Sequence, residues 1–168
     1  MTMDKKGFWS LIAAAKTEAD GDDEEQIKIL VERLSKLSPS DIVEFDKIYD
    51  ECRHQAYDWT LWGAAYTING GCSDDGFEYF LAWLIAQGEE VYNQATRDPD
   101  SLVEVVDQER DDYELEEMLG VARHAYTAKT GKEMPERPRS FPSEPTGKKW
   151  KEDDLPKLLP RLSERYGE

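Results

Sequence analysis

The chain has 168 residues and a formal net charge of −16 at pH 7, from 37 acidic and 21 basic residues. This length is typical of one domain, and 39% hydrophobic content with five tryptophans is too apolar for a disordered chain. Such an excess of carboxylates repels phosphate backbones, which argues against ordinary nucleic-acid binding. The chain has no run of about 18 apolar residues and no apolar segment after its first lysines. We therefore expect a cytoplasmic protein without a membrane partner.

The charge is unevenly distributed along the chain. Residues 1–131 carry a net charge of −17, whereas residues 132–168 carry +1. We predict an acidic helical domain over 1–131 and a proline-rich C-terminal extension over 132–168 that packs on it. An acidic surface keeps a protein soluble, and it also attracts basic partners or imitates a nucleic acid.

Apolar residues at spacings of three and four predict helices along most of the chain, and no segment alternates as a strand does. The first helix contains Phe8 and ends at Asp20-Gly21-Asp22. The second begins within residues 22–25, where carboxylates favour the positive end of the helix dipole. The third begins at Ser38-Pro39, a capping residue followed by proline, and runs to about Tyr57.

The third helix carries acidic residues that are expected mostly on its solvent side: Asp46, Asp50 and Glu51. Further helices are predicted over the following segments: Trp59 to Ile68, Phe77 to Ile85, Val91 to Thr96, a helix opening at Asp98-Pro99-Asp100, and a last long helix from Leu115 to Gly131. The fold class is thus all-α, a single compact domain of about six to eight helices with a proline-rich C-terminal belt.

The belt is predicted from a change of composition after residue 131. Pro135, Pro138, Pro142 and Pro145 occur every three or four residues, which predicts an irregular or polyproline-like segment. Apolar residues beyond it supply surface that would dock the C-terminus on the domain: Trp150, Leu155, Leu158, Leu159, Leu162 and Tyr166.

The most distinctive segment, residues 58–77, combines aromatic residues, glycines and small polar groups. One interpretation is structural, because Asn69-Gly70-Gly71 stops a helix and Ser73 or Asp74 caps the next. The other is a binding pocket with aromatic walls and polar groups presented at a helix start. The candidate pocket residues are Tyr57, Trp59, Trp62, Asn69, Cys72, Asp74 and Asp75.

No motif specifies a reaction, so the sequence leaves open whether the protein is an enzyme, and no catalytic residue is assigned. We predict no cofactor and no metal site, because Asp74 and Asp75 are adjacent at a helix start and point in different directions. The two carboxylates also disfavour a phosphate at this helix start. Cys72 with His54 or His124 would suggest an activated thiol, but both histidines are expected at the surface or as caps. Cys52 falls on a core stripe of the third helix.

The run from Trp59 to Tyr66, the run from Asn69 to Phe77 and the segment Trp83 to Gly88 together resemble a bacterial family. This family, domain of unknown function 4240, is frequent in actinobacteria. The Phe8-Trp9 opening, Leu37-Ser38-Pro39 and residues 98–102 are similar as well, so the resemblance covers roughly residues 7–128. It implies no activity, cofactor or catalytic residue.

Three functional hypotheses follow. The first is an interaction or regulatory module that binds another protein through an acidic face or an aromatic groove, with a basic protein as one candidate partner. The alternative is a small-molecule-binding protein or enzyme with a pocket around residues 59–75. A third hypothesis, a nucleic-acid mimic that inhibits a basic protein, ranks lower because the acidic residues are spread along several helices. The sequence does not specify the oligomeric state.

Overall fold

The computed structural model describes residues 3–107, 110, 112–138 and 142–166. Within these ranges the chain forms helices and no strand, as the sequence predicts. Seven α-helices have nine or more residues: Lys5–Ala19 (α1), Asp23–Ser35 (α2), Pro39–Gln55 (α3), Trp59–Asn69 (α4), Asp74–Ala86 (α5), Glu89–Arg97 (α6) and Val121–Thr130 (α7). Five shorter helices complete the described part: the 3-10 helices Pro99–Glu104, Glu116–Gly120 and Glu152–Asp154, and the α-helices Leu155–Leu158 (α8) and Pro160–Tyr166 (α9). None of the helices in these ranges is long and apolar enough to span a membrane.

Side-chain caps define where the first five helices begin. Asp4, Asp22, Ser38, Asp58 and Ser73 each accept a hydrogen bond from the backbone N–H three residues later. This bond satisfies a donor that the first helical turn leaves without an intrahelical acceptor. The predicted cap at Ser38 is confirmed, and of the two candidates before α5 it is Ser73 that caps.

Helix α5 is the centre of the core. Every residue from Phe80 to Ala86 is buried, as expected for a helix that is apolar on all sides. It packs against α1, α3, α4 and α6, and against the 3-10 helix at residues 116–120. Helix α5 is therefore surrounded by other helices of the described part of the chain.

The predicted last long helix is divided in two. Residues 116–120 form a 3-10 helix, and α7 begins only at Val121. The N–H of Leu115 donates to the carbonyl of Tyr79 in α5 at 3.0 Å, and the N–H of Met118 donates to the carbonyl of Leu115. These bonds anchor Leu115 to α5 and close a tight turn where an α-helix was predicted. Residues 108, 109 and 111 of the preceding acidic stretch lie outside the described residues.

The solvent-side prediction is wrong for Asp46, which is only 4% exposed. The guanidinium of Arg137 donates to its carboxylate at 2.7 Å and to the half-buried carboxylate of Asp50 at 2.5 Å. Glu51 is exposed, as predicted. Asp46 is buried because a cation 91 residues later in the chain packs against it.

Residues 142–166 lie against α4 and the 3-10 helix Pro99–Glu104. Leu155, Leu159 and Leu162 are buried there, as the sequence predicts. Leu158 is 44% exposed and does not contribute to this packing. Of the predicted irregular segment, residues 139–141 lie outside the described residues.

Candidate functional site

Four aromatic rings from three successive segments form a continuous stack beside the start of α5. Trp59 and Trp62 lie 5.2 Å apart with planes 9° from parallel, and Trp62 lies 4.9 Å from Phe77 at 15°. Tyr57, in the turn before α4, stacks on Phe77 at 5.9 Å. Such near-parallel rings add to the energy of burial and keep each other in one orientation.

Two of the predicted pocket residues hold the loop between α4 and α5 in place. The indole Nε1 of Trp62 donates to the carbonyl of Cys72 at 2.9 Å. The side-chain oxygen of Asn69 accepts the N–H of Tyr113 at 2.9 Å, which ties the loop to the chain before the 116–120 helix. Trp62 and Asn69 therefore position the loop.

A cavity of about 330 Å³ lies between the end of α3 and the first turns of α5. Three of the seven predicted residues line it, namely Tyr57, Asp74 and Asp75. The other lining residues are Arg53, Phe77, Glu78 and Leu81. Trp59, Trp62, Asn69 and Cys72 are outside this lining.

Arg53 and Glu78 are not among the pocket residues predicted from the sequence, where Glu78 is considered only as a further oxygen ligand beside Asp74 and Asp75. Each lies four residues from a predicted site residue, Arg53 before Tyr57 and Glu78 after Asp74. Residues four apart share a helix face, which is a signal that could have identified Glu78 once Asp74 was a candidate.

The cavity wall is part of a charged network that joins α3, α5 and Arg137. Arg53 pairs with Glu78 across the cavity wall and approaches Asp50 at 3.6 Å. Arg137 pairs with Asp50 and Asp46 behind it. Counting described residues alone, two arginines of this network face three carboxylates, and Asp74 and Asp75 add two more at the cavity.

Burial and nearby carboxylates raise the pKa values of Tyr57 and Cys72. Burial raises the pKa of Tyr57, and the negative charges of Asp74 and Glu144 raise it further. Burial also raises the pKa of the Cys72 thiol to about 12, with Glu114 and Asp74 acting in the same direction. Cys72 is therefore a neutral thiol at pH 7, so the helix start does not activate it as a nucleophile. His54 and His124 are exposed.

A buried tyrosine of α3 precedes the cavity-lining Arg53 by one helical turn. Tyr49, one helical turn before Arg53, is 4% exposed, and its hydroxyl has no hydrogen-bond partner in the described part of the chain. Burial raises the pKa of Tyr49, and the charges acting on it include those of Arg53 and Glu78. The ion pair that lines the cavity therefore acts electrostatically on this hydroxyl.

Two other cavities lie elsewhere. One of about 930 Å³ separates α7 from residues 133–137, and an apolar one of about 330 Å³ lies between α1, α2 and the start of α3. Across the described ranges, no three His, Cys, Asp or Glu side chains are grouped so as to hold a metal ion.

The family described as protein of unknown function (DUF4240) matches residues 3–128. This match spans the aromatic stack and every residue that lines the α3–α5 cavity, and it ends before Arg137 and Trp150. The chain matches no curated protein and no solved structure. Because the match covers most of the 168 residues, the chain belongs to this family of unknown function.

Proposed function

We propose that this protein is an interaction or regulatory module of a bacterial cytoplasm, and that it binds a basic partner protein at the α3–α5 cavity. The observation that carries the proposal is the combination of Asp74, Asp75 and Glu78 with the ring of Tyr57 around one concave site. A lysine or arginine side chain would find carboxylate acceptors and an aromatic face there. The net charge of −16 would also accelerate the approach of a basic partner.

The test uses a short arginine-rich peptide as the probe and measures its affinity by titration calorimetry. We expect Asp74→Asn with Asp75→Asn to weaken binding by at least about tenfold, since two charged acceptors at the site are lost. The matched control is Glu24→Gln with Glu25→Gln, which removes two exposed charges from the first turn of α2. That control keeps the total charge equal and is expected to change the affinity less than about twofold.

Equal losses in the two double variants would contradict the proposal, because they would show a response to total charge alone. Affinity that is unchanged when salt is raised would also contradict it, since exposed charges are screened within about 8 Å at physiological ionic strength.

One observation favours the alternative of a small-molecule site. The cavity volume of about 330 Å³ falls at the lower end of ligand pockets. A thermal-shift screen of metabolites and nucleotides tests this version, because a ligand at 100 times its Kd stabilises the fold by about 2.7 kcal/mol. A hit that Tyr57→Phe and Asp74→Asn both abolish would support it. A hit that neither variant changes would contradict this site.

We also propose that residues 132–168 form a proline-rich belt around the domain. Three contacts support it: Arg137 with α3, Thr146 with the turn before α4, and α9 with the 3-10 helix Pro99–Glu104. Hydrogen exchange of the intact chain tests this role, and slow exchange of amides in residues 146–166 is the expected result.

A further inference from the structure

The described C-terminal residues contact α4 as an extended peptide contacts a receptor. The N–H of Thr146 donates to the carbonyl of Tyr57, and the N–H of Trp59 donates to the carbonyl of Thr146, both at 2.9 Å. The two bonds form an isolated parallel bridge between Thr146 and Asp58. Backbone pairing of this kind is how many extended ligands are held, with side chains on either side of it supplying specificity.

The residue after this bridge must be a glycine. Gly147 has a φ of +84°, and a Cβ at this position would lie 2.8 Å from a carboxylate oxygen of Asp58. That carboxylate caps α4 by accepting the N–H of Leu61, so it is not free to move away. The start of α4 therefore accommodates glycine, and no larger residue, at position 147 of the segment that crosses it.

The side chain of Trp150 packs against α4 at Gly63. Gly63 leaves a gap in the helix surface, and a Cβ there would lie 3.0 Å from the indole Nε1 of Trp150 and 2.9 Å from a methyl group of Leu155. The same Nε1 donates to the carbonyl of Trp59 at 2.6 Å. The ring of Trp150 lies 5.3 Å from that of Tyr66, whose hydroxyl bonds to Glu152.

The face of α4 lies within the residues that match the family, and the C-terminal segment that packs on it lies outside them. Helix α4, with Asp58 and Gly63, lies within the matched residues 3–128, and the segment from Thr146 to Leu155 lies wholly outside them. In the chain, residues 129–145 separate the matched residues from this segment. The family domain thus carries a shaped surface that a separate segment fills.

We propose that the face of α4 between Asp58 and Tyr66 is a peptide-recognition surface. Its ligand is a segment that is extended at Thr146 and helical from Glu152 onward. Its pattern is Thr-Gly, then tryptophan three residues after the glycine, then leucine five residues after the tryptophan. The C-terminal segment occupies it as an intramolecular ligand. This inference rests on the proposed belt role of residues 132–168, because the belt places the ligand on the surface.

The test cuts the tether of the full-length protein and asks whether the tail behaves as a ligand. A protease site is inserted between Lys132 and Glu133, which are both exposed, and the folded protein is cleaved. Cutting is needed because a tethered ligand acts at an effective concentration of about a millimolar, which hides competition. A fluorescent copy of residues 133–168 is then added, and its exchange for the cleaved tail is followed by anisotropy.

We expect the cleaved tail to remain bound and to exchange with the labelled copy. Gly63→Ala in the domain is expected to weaken binding at least about tenfold, and Trp150→Ala in the peptide about 30-fold, as for a buried aromatic anchor. The matched control is Lys157→Ala in the peptide, which alters an exposed residue of α8 and should change affinity less than about twofold.

Two results would overturn the inference. One is loss of slow amide exchange in α5 of the domain on release of the tail, which would make the tail an integral part of the core. The other is affinity that is equal for Gly63→Ala, Trp150→Ala and Lys157→Ala.

Hydrogen exchange of the uncut chain separates this inference from the belt proposal. Fast exchange throughout residues 146–166 would reject the belt and the ligand together. Slow exchange in the uncut chain, with a cleaved tail that does not rebind, would leave the belt intact and reject the recognition surface.

Discussion

At the scale of single residues, two buried aspartates carry much of the long-range order. Asp46 in α3 accepts from Arg137, and Asp100 in the 3-10 helix Pro99–Glu104 accepts the backbone N–H groups of Arg161 and Leu162. A buried carboxylate is tolerated only when its hydrogen bonds are satisfied. Each aspartate is satisfied by a partner more than 60 residues away in the chain.

We expect Asp46→Asn to lower the free energy of unfolding by about 2 kcal/mol, the typical value of a hydrogen bond to a charged group. Asp50 retains part of the contact with Arg137, which limits the loss. Urea unfolding measures the effect. The control is Glu18→Gln, which breaks an ion pair with Arg33 of similar length at an exposed position and is expected to cost under about 1 kcal/mol. If both variants lose the same free energy of unfolding, burial adds nothing to the strength of the Asp46–Arg137 ion pair.

At the scale of elements, helix positions could be predicted because capping residues and apolar spacing are local signals. These signals predicted where two helices begin, α2 near Asp22 and α3 at Ser38. They also predicted where two helices end, α1 at Asp20 and α7 at Gly131. The 3-10 helix at residues 116–120 was not, because the bond from Leu115 to Tyr79 that shapes it joins distant parts of the chain.

Helix α9 depends on a cap that comes from another element. Asp100→Ala would leave the N–H groups of Arg161 and Leu162 without their acceptors, and we expect it to cost about 3 kcal/mol. Hydrogen exchange should accelerate in residues 161–166 more than in α1. The control is Asp98→Ala, two residues earlier, whose exposed side chain makes no capping bond. Unchanged exchange in α9 would mean that its packing, and not this cap, holds it in place.

In the candidate site too, residues close together in the sequence could be predicted, whereas contacts between distant parts of the chain could not. Tyr57, Asp74 and Asp75 could be predicted together because a short helix and a glycine-rich loop connect them. The role of Arg53 could not, because it pairs with Glu78 across two helices. Trp59 was predicted as a pocket wall, yet its ring contacts the C-terminal segment through Trp150. A partner 91 residues away gave no signal in the α4 sequence.

At the scale of the whole molecule, the net charge of −16 opposes compaction. We expect Tm to rise by about 3 °C as sodium chloride is raised from about 10 mM to about 200 mM, because screening shortens the range of repulsion from about 30 Å to under 10 Å. Differential scanning calorimetry measures the shift. The variant Glu51→Gln, at an exposed position in the second half of α3, should melt higher at low salt and show a smaller salt dependence. A Tm that falls with salt would indicate that screened ion pairs outweigh the repulsion.

The parallel indoles of Trp59 and Trp62 also have a spectroscopic consequence. Chromophores 5.2 Å apart with nearly parallel ring planes share their electronic excitation, and the resulting exciton bands fall in the ultraviolet region used to assess helix content. A helicity calculated from circular dichroism will therefore be biased in the wild-type protein. Substituting either tryptophan would change that spectrum even if every helix stayed intact. Conversely, the exciton signal offers an intrinsic optical reporter of the start of α4, the part of the helix that the C-terminal segment crosses.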